Sequence, residues 1–482
     1  MQNTKLYAVF MISVMLAGIF TLSPVISSLM NGVVIRSTGR IGTVAPIAYK
    51  SEIRGVFFHE VIFGYSHNWT LIANTLAPYG INCVFINLMQ GPDKRPDSEW
   101  FSSINAFHSV GIKVIVDVNV LGDVAYNTTT SAVTSTGSTA DWNNPINPVF
   151  RTLMKNAIEN VTATYDIDGF MWDYIRYATD DMDYSSESRA AFETWLGEGP
   201  ITNWTQFYPN QPRWNEFAEW RTIPVTDLVR DMRSWALAIK PNLEFSLAAW
   251  TYFSDVPIYW RKFIGQDTGA WIKEEYLDLV APMMYTQTIY GKTGETLESE
   301  IDADLKYMTG GSEGKIPLVA CLDCARGITP EGFKAEVDYV RSRGLDGFII
   351  WRYGGPGSGL TPDIRDFLSI LDMPDAFALR GIEVSASETV ATINWTTDLP
   401  ATSRIEYSAS PLFNASWKIW DDFHYWDTDH INGTIKEDNA NVTSHSIILT
   451  ELLSGTKYYF RVQSQDESGI ATSKVLTFTA GS

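Results

Sequence analysis

The chain is poor in cysteine, with three in 482 residues. Three thiols cannot build the disulfide framework of a small secreted fold, so stability has to come from buried apolar surface. Runs of Lys or Arg are also missing. With 36 basic against 56 acidic side chains and a net charge of −20, nothing here neutralises a phosphate backbone, which excludes nucleic acid as partner. The histidines are few and scattered. His59, His67 and His108 lack metal-ligand spacing, and Cys321 and Cys324 form one C-x-x-C without the second pair of a zinc site. That motif reads as a local disulfide or two buried thiols, and Cys83 reads as core. No metal and no cofactor is expected. No Gly-rich phosphate loop follows the first apolar strand, which argues against a doubly wound nucleotide-binding sheet.

What is present is ordinary globular composition, 45% hydrophobic and 19% charged, with an aromatic excess. The 17 Trp, 22 Tyr and 24 Phe suit a core and also a surface that stacks on flat, neutral ligands such as sugars. At the N-terminus Lys5 is the only charge before the apolar run Leu6 to Leu22. Residues 1–30 therefore read as a signal peptide or membrane anchor. Sequons at Asn68, Asn127, Asn160, Asn203, Asn394, Asn414, Asn432 and Asn441 exceed the roughly three or four expected by chance. Both signals point to a secreted or cell-surface glycoprotein, with residues 6–22 as its membrane contact.

Eight short apolar runs follow, at 53–59, 81–88, 112–120, 167–173, 243–249, 277–285, 316–322 and 346–351. Most are separated by amphipathic helical stretches, with Gly80, Gly111 and Gly344 just before a strand. This rhythm predicts an α/β fold, a (β/α)8 TIM barrel over 50–372. Two long insertions, 121–147 and 174–222, fall after strands three and four. The second carries Trp195, Trp204, Trp214 and Trp220, and both are expected to overhang the face that bears the chemistry. Beyond 372–378 the pattern changes to period two. The runs ATINWTT, SRIEYS, SHSIILT and KYYFRVQSQD, with Trp395 early and Tyr458 late, resemble a fibronectin type III sandwich over 378–481. Its stretch 413–438, with Trp417, Trp420, Tyr425 and Trp426, reads as a binding loop or as packing against the barrel. Contact with envelope glycan through this domain is expected.

The fourth strand reads DIDGFMWDYIRY. It resembles the strand-four signature of glycosyl hydrolase-like family ten and of a related barrel family with D-x-x-x-x-D-Y-I-R-F/Y. SEIRGVFF, YGINCVFINL, the helix into strand four, EWRTIPVTDLVRDMRSWALAIKPNLEFSLAAW and LDLVAPMMYTQ resemble the same families, in order, over roughly 50–370. The resemblance implies glycosidase chemistry on a barrel. One departure is Asp173-Tyr174, where the family-ten form often has two adjacent Asp. A chitinase-like D-G-x-D-x-D-x-E reading fails, because the acid position is Ile175.

Glycoside hydrolysis uses two carboxyls across the scissile bond. Asp173 leaves strand four at the catalytic mouth and is the first candidate, with Arg176 its alternative salt-bridge partner. Candidates for the second are Glu60 after strand one, Asp323 after strand seven and Asp117 in strand three. Asn119, Trp250, Tyr285, Gln287, Trp351, Arg352 and Tyr353 end or follow strands and suit sugar binding: aromatic faces on pyranose rings, amides and guanidinium on hydroxyls. The expected function is an exported glycoside hydrolase with a polysaccharide or glycan substrate. The alternative is a non-catalytic carbohydrate-binding or envelope-structural protein on the same barrel.

Overall fold

The computed structural model of the chain describes residues 52–58, 67–122, 129–251, 263–285, 297–307, 316–325, 327–358, 360–371, 379–420, 423–466, 469–473 and 475–481. The proposed signal or anchor, Glu60 and Gln287 lie outside them. Among the described residues no helix is long and apolar enough to cross a membrane.

The eight apolar runs form β1 (Ile53–Phe58), β2 (Cys83–Gln90), β3 (Lys113–Asn119), β4 (Gly169–Asp173), β5 (Glu244–Ala249), β6 (Leu279–Pro282), β7 (Ala320–Asp323) and β8 (Gly347–Trp351). They pair side by side in the order β7, β8, β1, β2, β3, β4, β5, β6, and the pairs are parallel. Bridges Val280 to Leu318 and Met283 to Cys321 link β6 to β7 and close the ring. The result is a (β/α)8 barrel. Gly169 shows how tightly β4 enters it: a Cβ there would lie 2.2 Å from the Glu244 carbonyl oxygen.

Side chains on these strands alternate between two environments, as period two requires. Val114, Val116, Val118, Phe170, Trp172, Phe348 and Ile350 face the helices and join the large outer core. Phe57, Phe85, Ile115, Met171, Cys321 and Ile349 fill the barrel interior. The helices between are α1 (Trp69–Leu76), α2 (Asp97–His108), α3 (Pro148–Thr164), α4 (Ser186–Leu196), α5 (Trp214–Leu237), α6 (Thr268–Lys273), α7 (Leu297–Tyr307), α8 (Pro330–Ser342) and α9 (Ile364–Leu368). At the start of α3 the Asn147 side-chain Oδ1 accepts from the Val149 and Phe150 amides, with Pro148 at the first turn. Helix α5 begins ten residues before Pro224, where a start at Pro224 itself matches the usual preference of proline for the first turn. Burial of Phe217, Ala218, Trp220 and Arg221 on one side carries the helix through the proline.

Insertion 174–222 is a small helical unit rather than an open loop. Tyr184, Phe192, Phe207, Phe217 and Trp220 form a core of their own, with Trp204 beside it and Arg189 4.8 Å over the Trp204 ring. Much of the aromatic excess in this segment is therefore structural. Insertion 121–147 contains a hairpin, Ser131–Val133 paired with Thr139–Asn143.

The C-terminal part is an antiparallel sandwich of β9 (Leu379–Ala386), β10 (Ala391–Ser408), β13 (Thr434–Leu449), β14 (Lys457–Asp466), β15 (Gly469–Thr472) and β16 (Leu476–Thr479). Strand β10 pairs with β9 through its first half and with β14 through its second. Register shifts lie near Ala401, where the long strands bend. Trp395 lies in the core, donates from Nε1 to Ser464 Oγ at 2.9 Å and stacks on His445. Tyr458 accepts from the Leu453 amide at 2.9 Å, the corner hydrogen bond of fibronectin-type sandwiches. The insertion 413–430 is a hairpin of β11 (Phe413–Trp420) and β12 (Phe423–His430). The backbone of β12 lies beside α6 and α7. All three cysteines are buried free thiols, so Cys321 and Cys324 are not bonded to each other.

Candidate active site

Strand parity decides which polar side chains enter the barrel. On β3, Asp117 and Asn119 share the inward parity of Ile115. On β4, Asp173 follows Met171, and on β7, Asp323 follows Cys321. All sit at or near the C-terminal strand ends, the face where barrels of this kind carry chemistry. Asp173 and Asp323 retain 6% and 8% exposure, while Asp117 is fully buried. Asn119 is the register partner of Asp173, and Asp117 is the partner of Met171. Asp117 therefore lies one layer below the mouth.

Each upper carboxylate is held by its own turn. Asp173 Oδ1 accepts from the Tyr174 amide at 2.7 Å, and Asp323 Oδ1 accepts from the Ala325 amide at 2.7 Å. Tyr174 has φ of +51°, a left-handed conformation that a non-glycine residue holds only where its surroundings enforce it. The turn brings Arg176 back over the mouth. Its guanidinium sits 4.7 Å from the Trp250 ring, 5.1 Å from Tyr174 and 5.4 Å from Trp142. Trp142 Nε1 donates to the Arg176 carbonyl at 2.6 Å. Arg176 packs as the hub of an aromatic cluster drawn from three successive mouth loops.

The same barrel interior holds a buried phenol and thiol. Tyr285 Oη and Cys321 Sγ are 3.1 Å apart. Burial raises the Tyr285 pKa well above its usual value, and Cys321, Asp173 and Asp323 add to the rise. Burial likewise pushes up the Cys321 thiol, against the Tyr285 hydrogen bond and with the charges of Asp173, Asp323 and Asp117 acting in the same direction. Both groups stay protonated at neutral pH. Trp351 packs 5.7 Å from Tyr285, and the Arg352 guanidinium lies 5.4 Å over the Trp351 ring. The Trp250 amide donates to Gln266 Oε1 at 2.8 Å. Tyr353 is fully buried, stacks on Phe58 and donates to the Pro356 carbonyl, so it supports the last strand from outside the cleft.

Of the residues expected at the mouth, Asp173, Asp323, Asp117, Asn119, Tyr285 and Trp351 come together in the barrel interior, with Trp250 and Arg352 at its rim. Asn87 is the residue sequence reading missed. It is 1% exposed and donates from Nδ2 to Asp117 Oδ2 at 3.2 Å and to Asn119 Oδ1 at 3.0 Å. Its inward parity with Phe85 on β2 was the available signal. Among the described residues no group of His, Cys, Asp and Glu is arranged to hold a metal.

Residues 121–305 match the family model of glycosyl hydrolase-like 10, and residues 381–480 match the N-terminal domain of purple acid phosphatase, a fold of fibronectin type III kind. The PgaB (BpsB) glycoside hydrolase domain of Bordetella bronchiseptica superposes with a TM-score of 0.51 at 14% identity, over 67% of this chain and 100% of that domain. The catalytic domain of a Paenibacillus polymyxa β-amylase gives 0.49 at 12% identity, over 66% and 97%. An S-layer-related protein of Niallia circulans is 25% identical over 275 residues, which is 48% of this chain and only 16% of that protein. The Bordetella domain shares the barrel fold. The chain is thus a (β/α)8 barrel, whose segment holding Asp173 matches the glycosyl hydrolase-like 10 model, followed by a fibronectin-type sandwich.

Proposed function

We propose that this protein is an exported glycoside hydrolase that cleaves O-glycosidic bonds of a cell-surface or environmental polysaccharide. The observation that carries the reading is the pair Asp173 and Asp323, both at the C-terminal ends of their strands with inward parity and both slightly exposed. One carboxyl protonates the leaving oxygen while the other activates water or attacks the sugar. Strands β4 and β7 lie three steps apart around the ring. With about 4.8 Å between tilted strands, side chains as short as Asp leave roughly 9 Å between the carboxyls. That span accommodates a water and fits inversion of the anomeric centre. Trp250 and Trp351 supply apolar faces for sugar rings, and Asn119 and Arg352 supply donors for hydroxyls.

Export rests on the apolar run 6–22 and on the sequons, and the match to an S-layer-related protein agrees with a surface location. That same match favours a second reading, an envelope protein that binds glycan without cleaving it. Hydrolysis of a glycan panel by the wild type, with the product anomer followed by NMR, tests the proposal. Release of the inverted anomer supports both the chemistry and the spacing. Glycan binding without cleavage supports the second reading and sinks the first.

A further inference from the structure

The buried trio Asp117, Asn87 and Asn119 has a hydrogen-bond logic that runs in one direction. As a carboxylate, Asp117 can only accept. Asn87, its register partner on β2, must therefore turn its amide nitrogen toward it, and Nδ2 lies 3.2 Å from Asp117 Oδ2. The same nitrogen is 3.0 Å from Asn119, so Asn119 must present its oxygen on that side. Its own Nδ2 then faces away from β2, on the side of β4, where Asp173 is its register neighbour. Adjacent strands are about 4.8 Å apart, so this amide stands at the edge of the cleft beside Asp173. All three side chains are at least nine-tenths buried, and water does not compete for these bonds.

We propose that Asp117 and Asn87 are positioning residues that lock the Asn119 amide as a hydrogen-bond donor toward a pyranose hydroxyl next to the bond being cleaved. Asp117 acts through two amides and does not touch substrate. A donor fixed there holds the sugar hydroxyl oxygen beside Asp173, and bonds of this kind strengthen as the ring gains positive charge. The site would select sugars with an unmodified hydroxyl at that position. A deoxy sugar leaves the buried amide unpaired. This inference rests on the glycosidase reading for its effect on rate, but not for the orientation of the amides.

The test exchanges the two residues. In Asp117→Asn alone, both amides are released from a fixed direction, and kcat falls roughly tenfold to a hundredfold with a smaller change in KM. Asn87→Asp alone sets two carboxylates side by side and lowers both stability and kcat. The double variant Asn87→Asp with Asp117→Asn restores a donor–acceptor pair, so thermal stability recovers. It also makes residue 87 an acceptor, which reverses Asn119 and turns its oxygen toward the cleft, so kcat stays low. Recovery of kcat together with stability in the exchanged variant overturns the proposal, because a purely structural pair tolerates exchange. Neutron diffraction of the wild type reads the amides without any substrate. Asn119 Oδ1 facing Asn87 supports the relay, and Nδ2 facing Asn87 overturns it. If the wild type cleaves no glycan, the functional reading fails, and the neutron map still decides the orientation.

Discussion

Asp183 is the side chain whose removal most directly tests how the mouth is assembled. It is fully buried and accepts from the Val133 amide at 2.6 Å, the Ser185 amide at 3.2 Å, Ser185 Oγ at 2.7 Å and Ser188 Oγ at 2.6 Å. One carboxyl thus ties the Ser131–Asn143 hairpin to the start of α4. In Asp183→Ala the serine hydroxyls can turn to other acceptors, but two backbone amides are left with none. At about 1–2 kcal/mol per buried unsatisfied donor, with a further cost for the space left, the loss is about 3–4 kcal/mol. At roughly 2 °C per kcal/mol for a domain of this size, Tm falls by roughly 6–8 °C, readable by differential scanning fluorimetry. The pH dependence has a definite sign. Burial raises the Asp183 pKa, outweighing the hydrogen bonds from Ser188, Ser185 and Val133. The folded chain therefore keeps this proton at pH values where the unfolded chain has released it. The stabilising contribution is complete below the unfolded value of about 4 and is lost as pH rises through the folded pKa. Asp183→Asn cannot titrate, so wild type gains on it in Tm as pH falls toward the unfolded value. A Tm change under about 2 °C in Asp183→Ala, or a wild-type Tm that falls relative to Asp183→Asn on acidification, would refute the reasoning.

Three further outcomes follow from the packing. Gly169→Ala places a Cβ 2.2 Å from the Glu244 carbonyl; backbone cannot yield there, so the variant loses more than about 4 kcal/mol and fails to give a soluble barrel on expression. Tyr458→Phe removes the bond to the Leu453 amide and destabilises the sandwich by about 1–2 kcal/mol, seen as an earlier sandwich transition in calorimetry with the barrel transition unmoved. Burial pushes the Cys83 and Cys324 thiols up to about 12 and raises Cys321 as well, so the native chain resists a thiol-disulfide reagent at about pH 8 and reacts only when unfolded.

The barrel was legible because each of its strands is a short apolar run, and the ends of those runs already marked Asn119, Asp173 and Asp323 as mouth residues. The sandwich was legible from Trp395 and Tyr458, which keep the spacing and roles of their fold. Asn87 was not, because its meaning depends on Asp117 and Asn119, thirty residues away and joined to it only by strand pairing. The Arg176 cluster was hidden for the same reason: Trp142, Tyr174 and Trp250 meet only once three loops have folded over the mouth. Trp220 was misleading in the other direction. A tryptophan in an insertion after a barrel strand suggests a sugar platform, yet Trp220 stacks on Phe217 inside a separate aromatic core.

The central claim is that Asp173 and Asp323 work as a pair on a glycosidic bond. Its most direct test is turnover of a glycan panel by wild type, Asp173→Asn and Asp323→Asn, each checked for an unchanged fold by circular dichroism. The account predicts cleavage of at least one glycan by the wild type and a loss of at least about a hundredfold in each variant. No cleavage by the wild type, or full activity in either variant, would contradict it.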